Sequence, residues 1–513
     1  MIDPALAHDA GWAIVLGLAL SLACIAALIT KAQSRYLGGE QIKKLFMTVY
    51  RDVKPSLIAL SIVSSWTWAA TLLQSSTVAY KYGISGPYLY AAGATIQILL
   101  FAILAIKLKE IAPTAHTFLE IINARYENGV DFYISLFLLP FCVFIYKFIG
   151  GVKDIFVVSY INSTVILIII LYFLFVVYGS SSYIGSPDKM YNLLVNASSH
   201  NKVSGNEDGS YVTLSSIPGL HFGIISIIGN FGTIFVDNAY WQHAIAVRAS
   251  STVKAYLIGG LSWFAIPFTL ATAMGISGIA LVEAGLMNPL NDKELSAGLV
   301  LPITAAVLLG KTGAIAVLVL VFMANFYGII VATMLGLVAG ISVWLGVAKY
   351  LFNEISINST GSDYPMLYGN LASITVSGIV AIIWSLLSSP SHELGKVRRV
   401  LEIMANDDVY IRHETYQDPL DKNSLGLKKA FKCAIWSSVI LTIILVIIIP
   451  LIMITSRYVF SDGFFVFWVV LAILWAIIST CAISIYPLYE SRESISNIIR
   501  GIIFEFKPIN EHF

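Results

Sequence analysis

The sequence predicts an all-α, polytopic membrane protein with about 12 transmembrane helices. Of its 513 residues, 58% are hydrophobic and only 12% are charged, whereas a soluble domain carries about 25% charged residues. Apolar runs of about 18 residues or more recur along the chain, and each is long enough to cross a bilayer as a helix. Because a helix satisfies its own backbone hydrogen bonds inside a bilayer, these runs indicate a helical bundle.

The membrane-spanning runs follow one another along the chain. They fall near 12–30, 55–80, 86–107, 132–150, 154–178, 219–246, 253–282, 312–327, 329–351, 367–388, 431–455 and 463–487. The run 297–310 contains Pro302, and it is too short for a full span. We therefore expect it to be a re-entrant or interfacial piece.

Basic residues predict the orientation of the chain. Lys and Arg crowd the connection 31–54, the stretch 389–430 and the end of the chain, and such clusters favour the cytoplasmic side. The N-terminus is therefore expected outside the cell and the C-terminus inside. Basic residues at both ends of 132–150 create one conflict, because they place both ends of a single span on the same side.

Two polar loops are expected on the extracellular side. Loop 179–218 contains a glycosylation sequon at Asn196, and loop 353–366 contains another at Asn358. This topology divides the chain into four regions. They are a transmembrane core over 1–388 that includes the extracellular loop, a cytoplasmic loop over 389–430, a transmembrane hairpin over 431–490 and a cytoplasmic tail over 491–513.

Composition also excludes several classes of function. The net charge of +1 argues against a nucleic-acid partner. The sequence shows neither a nucleophile–base set nor a cluster of metal-ligand residues, so we expect no enzyme, no cofactor and no metal site. His116 and His221 stand singly in the sequence, which favours interface positions, and His243 is expected near the cytoplasmic end of its span. None of the three is favoured for a proton relay.

One span carries far more polar side chains than membrane crossing requires. The stretch SSWTWAATLLQSS combines flat aromatic walls with hydrogen-bonding groups. Transporters place such groups in broken helices that face a cavity, which predicts a substrate site. Its candidate residues are Ser64, Ser65, Trp66, Thr67, Trp68, Thr71 and Gln74. The spacing of Thr67, Thr71 and Gln74 predicts one shared helical face. The alternative is packing, since Ser and Thr also join membrane helices.

A second interrupted helix is expected within 219–246. Gly229 and Gly232 flank Asn230, and this predicts local unwinding of the helix. Asp237 is a carboxylate inside an apolar run, which indicates a functional group, although it could instead pair with Arg248. The candidate site residues of this segment are Asn230, Thr233, Asp237 and Gln242. Two such helices, separated by several spans, are typical of an inverted-repeat transporter.

Long motifs over most of the chain carry a family resemblance. They are SSWTWAATLLQSSTVAYKYGISGP, YAAGATIQILLFAILAIKLK, APTAHTFLEII, GNFGTIFVDNAYWQHAIAVRAS, GGLSWFAIPFTLATAMG, SAGLVLPITAAVLLGKTGA, STGSDYPMLYGNLASI and FWVVLAILWAIISTCAISIYPLYESRE. The chain resembles the urea active transporters, the urea–proton symporters of fungi and plants, within the sodium:solute symporter superfamily.

The resemblance implies a LeuT-like symporter core of two five-helix inverted repeats with additional peripheral helices. It also implies uphill uptake of urea at the plasma membrane, driven by a proton or sodium gradient. The first broken core helix then corresponds to Ser64–Gln74, and its inverted partner to Gly229–Gln242. The implied partners are urea, the coupling cation and membrane lipid.

The chain departs from the family pattern in two places. Only ENGVDFYISLF separates NARY from LLPFCVFIYKFIGG, where family members have a further span, and this omission accounts for the conflict at 132–150. After VLVLVFMA the family continues with a Ser/Thr-rich stretch that helps to hold the coupling ion. Here Asn325 leads directly into a later family segment. The absent helices predict that this chain transports weakly or not at all.

Three functions therefore remain open from the sequence. The first is secondary active transport of urea. The second is symport of a polyamine or another small solute, which Asp237 and the aromatic residues would suit. The third is a truncated, non-transporting remnant or a sensor, which the absent helices favour.

Overall fold

The computed structural model describes residues 54–111, 152–325, 334–372 and 424–500, apart from a few positions inside these ranges, together with isolated residues between 11 and 28. Regular structure in these residues is helical, and β-structure is limited to isolated bridges such as Thr213–Val459. The predicted all-α class is confirmed. The predicted span 132–150, and much of 12–30 and 367–388, lie outside the described residues.

The helices are labelled here in chain order. They are α1 Pro55–Trp66, α2 Ala69–Tyr82, α3 Ser85–Ile111, α4 Val152–Phe175, α5 Pro187–His200, α6 Ile217–Val236, α7 Asn238–Ala246, α8 Ala249–Leu270, α9 Ile276–Glu283, α10 Asp292–Ser296, α11 Val300–Asn325, α12 Met334–Phe352, α13 Ile357–Thr360, α14 Ser424–Thr442, α15 Ile449–Ser456, α16 Asp462–Thr480 and α17 Tyr486–Glu490. Single π-helical turns continue α4 to Ser180 and join α8 to α9, α14 to α15 and α16 to α17.

Within the described residues, six helices are long and apolar enough to cross a membrane, and the bent pair α1–α2 makes a seventh if it counts as one span. The six are Ser85–Ile111, Val158–Ser180, Ser251–Glu283, Val300–Ala324, Gly426–Ser456 and Asp462–Glu490. All of them overlap predicted runs, so the polytopic membrane class is also confirmed.

The structure describes two predicted boundaries, the one after the run 297–310 and the end of the loop 389–430. The helix that begins α11 breaks at Gly310, where φ is 59° and ψ is −135°. This break agrees with the expected separation of the run 297–310 from the span after it. The cytoplasmic loop was expected to extend to residue 430, but α14 already begins at Ser424. The helix extends beyond its apolar run because Lys428 and Lys429 are exposed and can remain in water.

Helices α3 and α8 form the centre of the bundle. A Cβ atom at Gly260 of α8 would stand 2.8 Å from the Leu99 side chain of α3, so the small residue permits a close approach of the two helices. The C-terminal hairpin packs against the same core. Phe264 of α8 stacks on Trp475 of α16 with ring centroids 4.5 Å apart, and the Trp475 indole donates a hydrogen bond to the Leu261 carbonyl.

Loop 179–218 is an ordered cap on one side of the bundle. It contains α5, and it is fixed to the turn between α15 and α16 by hydrogen bonds. The Phe460 amide donates to the Val212 carbonyl at 2.8 Å, and the Thr213 hydroxyl donates to the Tyr458 carbonyl at 2.8 Å. The loop and this turn therefore lie on the same side of the bundle.

Basic residues cluster on the opposite side. Lys54, just before α1, donates to the carbonyl of Glu490 at the end of α17. Lys109 in the last turn of α3 donates to the Val247 carbonyl, just after α7. The first bond joins the start of α1 to the end of α17, and the second joins the end of α3 to the residue after α7. Because α3 begins beside the cap, at the bond from Ile84 to Tyr211, its end at Lys109 lies on the opposite side.

The turn between α2 and α3 depends on a glycine. Gly83 has φ 69° and ψ −149°, and a Cβ atom there would lie 2.0 Å from the carbonyl oxygen of Tyr211 in the cap. That backbone conformation is accessible essentially only to glycine. The close approach also lets the Ile84 amide donate to the same carbonyl at 2.9 Å.

Gly83→Ala is therefore expected to destabilise the protein by about 2 kcal/mol or more, because it adds backbone strain and displaces the cap. Thermal unfolding of the purified protein in detergent measures the effect. The matched control is Gly463→Ala, because an added Cβ at Gly463 meets nothing within 4 Å. Equal melting temperatures for the two variants would contradict the role of Gly83.

Candidate functional site

The first polar segment contains a helix break within its apolar length. Helix α1 ends at Trp66, and the two following residues have extended backbones, with φ −90° and ψ 97° at Thr67 and φ −99° and ψ 162° at Trp68. Helix α2 then continues at an angle of 66° to α1. A break of this kind frees peptide groups that a continuous helix would pair, so the predicted segment does contain an interrupted helix.

Side-chain hydrogen bonds stabilise this break. No glycine or proline lies between residues 56 and 82, so neither residue type causes it. The Thr67 hydroxyl donates to the Val63 carbonyl at 2.6 Å, and the Trp68 indole donates to the Ser65 carbonyl at 2.8 Å. The Trp68 indole pairs a carbonyl at the end of α1, and the Thr67 hydroxyl adds a second bond to the Val63 carbonyl, which also accepts from the Thr67 amide at 3.1 Å.

Most of the other hydroxyls in the segment bond within their own helix. Ser65, Ser75 and Ser76 each donate to a carbonyl three or four residues earlier, at 2.8–3.2 Å. Such bonds are the usual way in which a helix satisfies the hydroxyl hydrogen of Ser and Thr, and they leave the oxygen of Ser65 able to accept. Ser64 differs, because its hydroxyl is buried and has no hydrogen-bond partner among the described residues.

An aromatic cluster surrounds the end of α1. The ring of Trp66 lies 5.2 Å from Trp68, 5.6 Å from Tyr240 and 6.4 Å from Trp263, measured between centroids. Trp66 is only 3% exposed, so in this conformation its ring is covered by its neighbours. Trp68 is partly exposed and is the more accessible of the two predicted aromatic walls.

Three polar residues near this cluster were not found from the sequence. Thr95 and Gln97 lie on α3, beside Ala94, whose carbonyl accepts from the Trp66 indole at 3.4 Å. Trp263 lies on α8. The Thr95 hydroxyl, the Gln97 amide oxygen and the Trp263 indole N–H are buried without a partner among the described residues. The polar pair in YAAGATIQILL was a detectable signal for the first two, since polar groups in a span are costly.

The predicted shared face of Thr67, Thr71 and Gln74 is wrong for Thr67, whereas Thr71 and Gln74, three residues apart on α2, do share a face. That prediction assumed a continuous helix, but the break places Thr67 between two helices of different direction. Thr71 is buried and accepts a long hydrogen bond of 3.4 Å from the Trp68 amide. Gln74 is partly buried, and its amide has no hydrogen bond to a described residue, so it remains accessible to a solute.

The predicted unwinding at Asn230 is also wrong. Helix α6 continues through Gly229 and Gly232 as far as Val236. The Asn230 amide donates to the carbonyl and the hydroxyl of Ser226 at 2.8 and 3.1 Å, so the helix satisfies this side chain without opening. Each glycine inside a helix costs only about 0.5–1 kcal/mol relative to alanine, so two glycines are not sufficient to open this one.

The other candidates of the second segment are only partly described. Asp237 lies outside the described residues, as does the side chain of Thr233, whereas Gln242 on α7 is partly buried. The two predicted segments nevertheless meet. Tyr240 of α7 packs edge-on against Trp66, and its hydroxyl donates to the Ile62 carbonyl at 3.5 Å. The structure therefore places α7 beside the break in the first segment.

The geometry combines features that suit a small polar solute. The helix break adjoins an aromatic wall and the buried Ser64 hydroxyl, and the Trp263 indole lies beside Trp66; both polar groups lack partners among the described residues. Leaving such a polar group unpaired costs about 1–3 kcal/mol, so a ligand or water that pairs it is stabilised. Hydroxyl and amide oxygens can accept hydrogen bonds, and the indole N–H can donate one.

Three known proteins align with nearly the whole of this chain. The urea-proton symporter DUR3 of Oryza sativa subsp. japonica is 33% identical, in an alignment that covers 97% of this chain and 86% of the relative. Probable urea active transporter 1 of Schizosaccharomyces pombe is 30% identical, covering 98% and 94%. The urea active transporter of Saccharomyces cerevisiae is 30% identical, covering 98% and 93%. No protein-family model matches the chain.

A weaker likeness connects the chain to a solved structure. The substrate-bound, outward-open state of a Na+-coupled sialic acid symporter is 15% identical and covers 92% of this chain and 97% of that chain. Its TM-score is 0.38, which is too low to assign the fold.

The alignments also bear on the absent segments. The alignment with the rice relative extends over 637 positions, whereas this chain has 513 residues. Since a span takes about 20 residues, a length equal to several spans of the relative has no counterpart here. Identity of 33% over 97% of the sequence nevertheless identifies the family, and the chain belongs to the urea active transporters, also called urea–proton symporters.

Proposed function

We propose that this chain transports urea across the plasma membrane by secondary active transport coupled to a proton or sodium gradient. The observation that carries the proposal is the break between α1 and α2, beside an aromatic cluster and buried polar atoms that lack partners among the described residues. The names of the relatives, which are urea transporters, support urea as the substrate.

Urea matches these groups chemically. It is flat and neutral, with one carbonyl oxygen that accepts hydrogen bonds and two amino groups that donate them. The ring of Trp68 offers a flat surface, the oxygens of Ser64 and Gln97 can accept from the amino groups, and the indole N–H of Trp263 can donate to the carbonyl. The Gln74 amide can accept from an amino group of urea through its oxygen or donate to the urea carbonyl through its nitrogen.

The proposal extends to the architecture and the orientation. A broken helix near the middle of the bundle supports a LeuT-like inverted-repeat core, from which this chain lacks some helices. The cap 179–218 lies opposite the basic face of Lys54 and Lys109. By the positive-inside rule the basic face is cytoplasmic, so the cap and the N-terminus are extracellular and the C-terminus is cytoplasmic.

Labelling of single cysteines tests this orientation. In a background in which the four native cysteines are replaced by serine, Ser199→Cys in the cap should react with a membrane-impermeant maleimide in intact cells. Lys429→Cys should react only after the cells are permeabilised. Reaction of Lys429→Cys in intact cells would refute the proposed topology.

A second candidate function is favoured by one specific observation. The excess of alignment positions over residues indicates absent helices, and a chain without them could be a non-transporting remnant or a sensor. Polyamine transport is a further alternative in the same class of protein. It differs from urea transport electrically, because a polyamine brings its own charge.

One experiment separates these functions. The chain is produced in cells that lack their own urea and polyamine transporters, and its surface delivery is measured by biotinylation. Uptake of labelled urea above that of empty cells, without uptake of labelled spermidine, supports the proposed function. Uptake of spermidine with a substrate-dependent current supports the polyamine alternative. Surface delivery with neither uptake identifies the remnant and contradicts the proposal.

A further inference from the structure

A buried chain of polar side chains connects three helices below the aromatic cluster. The hydroxyl of Ser61 on α1 lies 2.7 Å from Nε2 of His243 on α7, and 3.4 Å from the hydroxyl of Ser159 on α4. His243 is 2% exposed, and both serines are fully buried. A titratable side chain is therefore enclosed in the core, in direct contact with the helix that contains the break.

His243 lies between the proposed urea site and the basic face. Ser61 precedes Trp66 by five residues and follows Lys54 by seven, which places it about 8 Å and about 10 Å from them along the helix axis. On α7, Tyr240 packs against Trp66, one turn before His243. On the other side, the Val247 carbonyl accepts from Lys109, one turn after His243.

The surroundings of His243 contain few ionisable groups. Helix α1 has none between residues 55 and 66, and α6 has only His221. On α7 itself the phenol of Tyr240 lies one turn away, with its ring centroid 6.2 Å from that of His243. Asp237 and Arg248, on either side of α7, lie outside the described residues, as do the side chains at the start of α4.

The remaining groups belong to helices around this site, and each described one has a partner. Lys107 pairs with Glu110 on α3 at 2.8 Å, and Lys109 donates to the Val247 carbonyl. The other phenols donate to carbonyls: Tyr160 of α4 to Ser484, and Tyr256 of α8 to Tyr240. Lys254 of α8 donates to the Tyr486 hydroxyl. Histidine is the side chain whose ordinary pKa is nearest to neutral pH. The other histidine of these helices, His221, lies in the first turns of α6, 15 residues or about 22 Å along the helix axis before its end at Val236, so His243 is the histidine beside Ser61.

We propose that His243 binds and releases the coupling proton, an inference that rests on the proposed urea transport. With its proton on Nδ1, the neutral imidazole accepts the Ser61 O–H at Nε2. When Nε2 takes up a proton from solvent, the imidazolium has two N–H donors and no acceptor. Nε2–H then donates to the Ser61 oxygen, and the Ser61 O–H turns toward Ser159. Release of the proton to solvent reverses both changes.

Binding of a proton to His243 changes the contact between α7 and α1. Ser61 is part of α1, so protonation reverses the direction of the hydrogen bond between α7 and the broken helix. An imidazolium is also costly to keep buried in an apolar core. The protonated and neutral forms therefore favour different arrangements of α1 and α7, and a ligand couples to a transition only through such a difference.

The test compares His243→Gln with the unaltered chain and with His200→Gln. Glutamine keeps a hydrogen bond to Ser61 but does not titrate. His200 is the matched control, because its side chain is exposed in the cap, where it pairs with Glu283 at 3.0 Å. Accumulation of labelled urea and its exchange at equal concentrations are measured at external pH values of about 5.5 and about 7.5, on either side of the ordinary histidine pKa of about 6.5.

We expect the unaltered chain and His200→Gln to accumulate urea faster at the lower pH. In His243→Gln the ratio of accumulation at the two pH values should fall to about 1, while exchange persists. A His243→Gln chain that keeps the pH dependence overturns the inference, and so does an unaltered chain that accumulates urea without any pH dependence.

Two further results are informative. If His243→Gln does not reach the cell surface, Ser61→Ala replaces it, since this change keeps the imidazole and removes its hydroxyl partner. The pH midpoint of accumulation should then shift, and an unchanged midpoint would refute the relay. An unaltered chain that neither accumulates nor exchanges urea contradicts the proposed function itself, and the inference falls with it.

Discussion

Trp66→Ala is expected to reduce urea uptake by at least about tenfold, which corresponds to a loss of about 1.4 kcal/mol of stabilisation. The ring of Trp66 fixes the end of α1 against Trp68, Tyr240 and Trp263. Without it, the break loses the packing that holds the unpartnered polar groups near one another. Uptake of labelled urea, divided by the amount of protein at the cell surface, measures the effect.

Because Trp66 is buried, variants that disturb the fold less are tested together with Trp66→Ala. Truncation of a buried tryptophan costs about 3–5 kcal/mol of stability, so reduced surface delivery is expected as well. Trp66→Phe keeps an aromatic ring and should retain part of the activity. Gln74→Ala should reduce uptake at normal surface delivery, because the Gln74 amide has no hydrogen bond to a described residue that folding would lose.

Trp436→Ala is the matched control for the aromatic change. This residue is 65% exposed on α14, on the surface that we assign to lipid, so its loss should leave uptake unchanged. Normal uptake per surface molecule in both Trp66→Ala and Gln74→Ala would mean that the polar face of the first segment serves packing alone.

Restoring the absent segments is expected to raise the rate of urea uptake by at least about tenfold, equivalent to about 1.4 kcal/mol. Each core helix of an inverted-repeat transporter contributes to one cavity and to the alternation between its two faces. A Ser/Thr-rich stretch after Asn325 would also return oxygen atoms that can bind a coupling cation, so the chain without it is expected to accumulate urea only slowly.

The comparison uses a chimaera with the corresponding segments of the rice relative inserted between 126 and 140 and after Asn325. An insertion of equal length with a neutral Leu/Ala sequence is the control, because it restores helix length without the polar residues. Equal uptake per surface molecule by the original chain and the chimaera would show that the absent helices are dispensable.

The fold class could be predicted because it depends on composition. A bilayer admits few structures, and apolar runs as long as 253–282 leave little choice. The break in the first segment was predictable for a related reason, since polar side chains inside an apolar helix need partners. Its position at Thr67–Trp68 was not, because it depends on hydrogen bonds from these side chains and on packing against α7.

The errors have physical causes as well. At Asn230 the sequence suggested unwinding because two glycines flank a polar residue, yet a bond from its amide to Ser226 keeps the helix intact. The two glycines suggested flexibility, but Ser226, one turn earlier in the same helix, accepts both hydrogen bonds of the Asn230 amide. Likewise, His243 stands alone in the sequence. Its contact with Ser61, 182 residues away along the chain, arises only from the packing of α7 on α1.

Cation-coupled urea transport is measured with the purified chain in proteoliposomes. Vesicles are loaded with a defined concentration of labelled urea, diluted into the same concentration, and then given an inward proton gradient or an inward sodium gradient. We expect one of these gradients to drive internal urea above the external concentration, and an ionophore that collapses the gradient to abolish the accumulation. Internal urea that never exceeds the external concentration under either gradient would contradict cation-coupled urea transport by this chain.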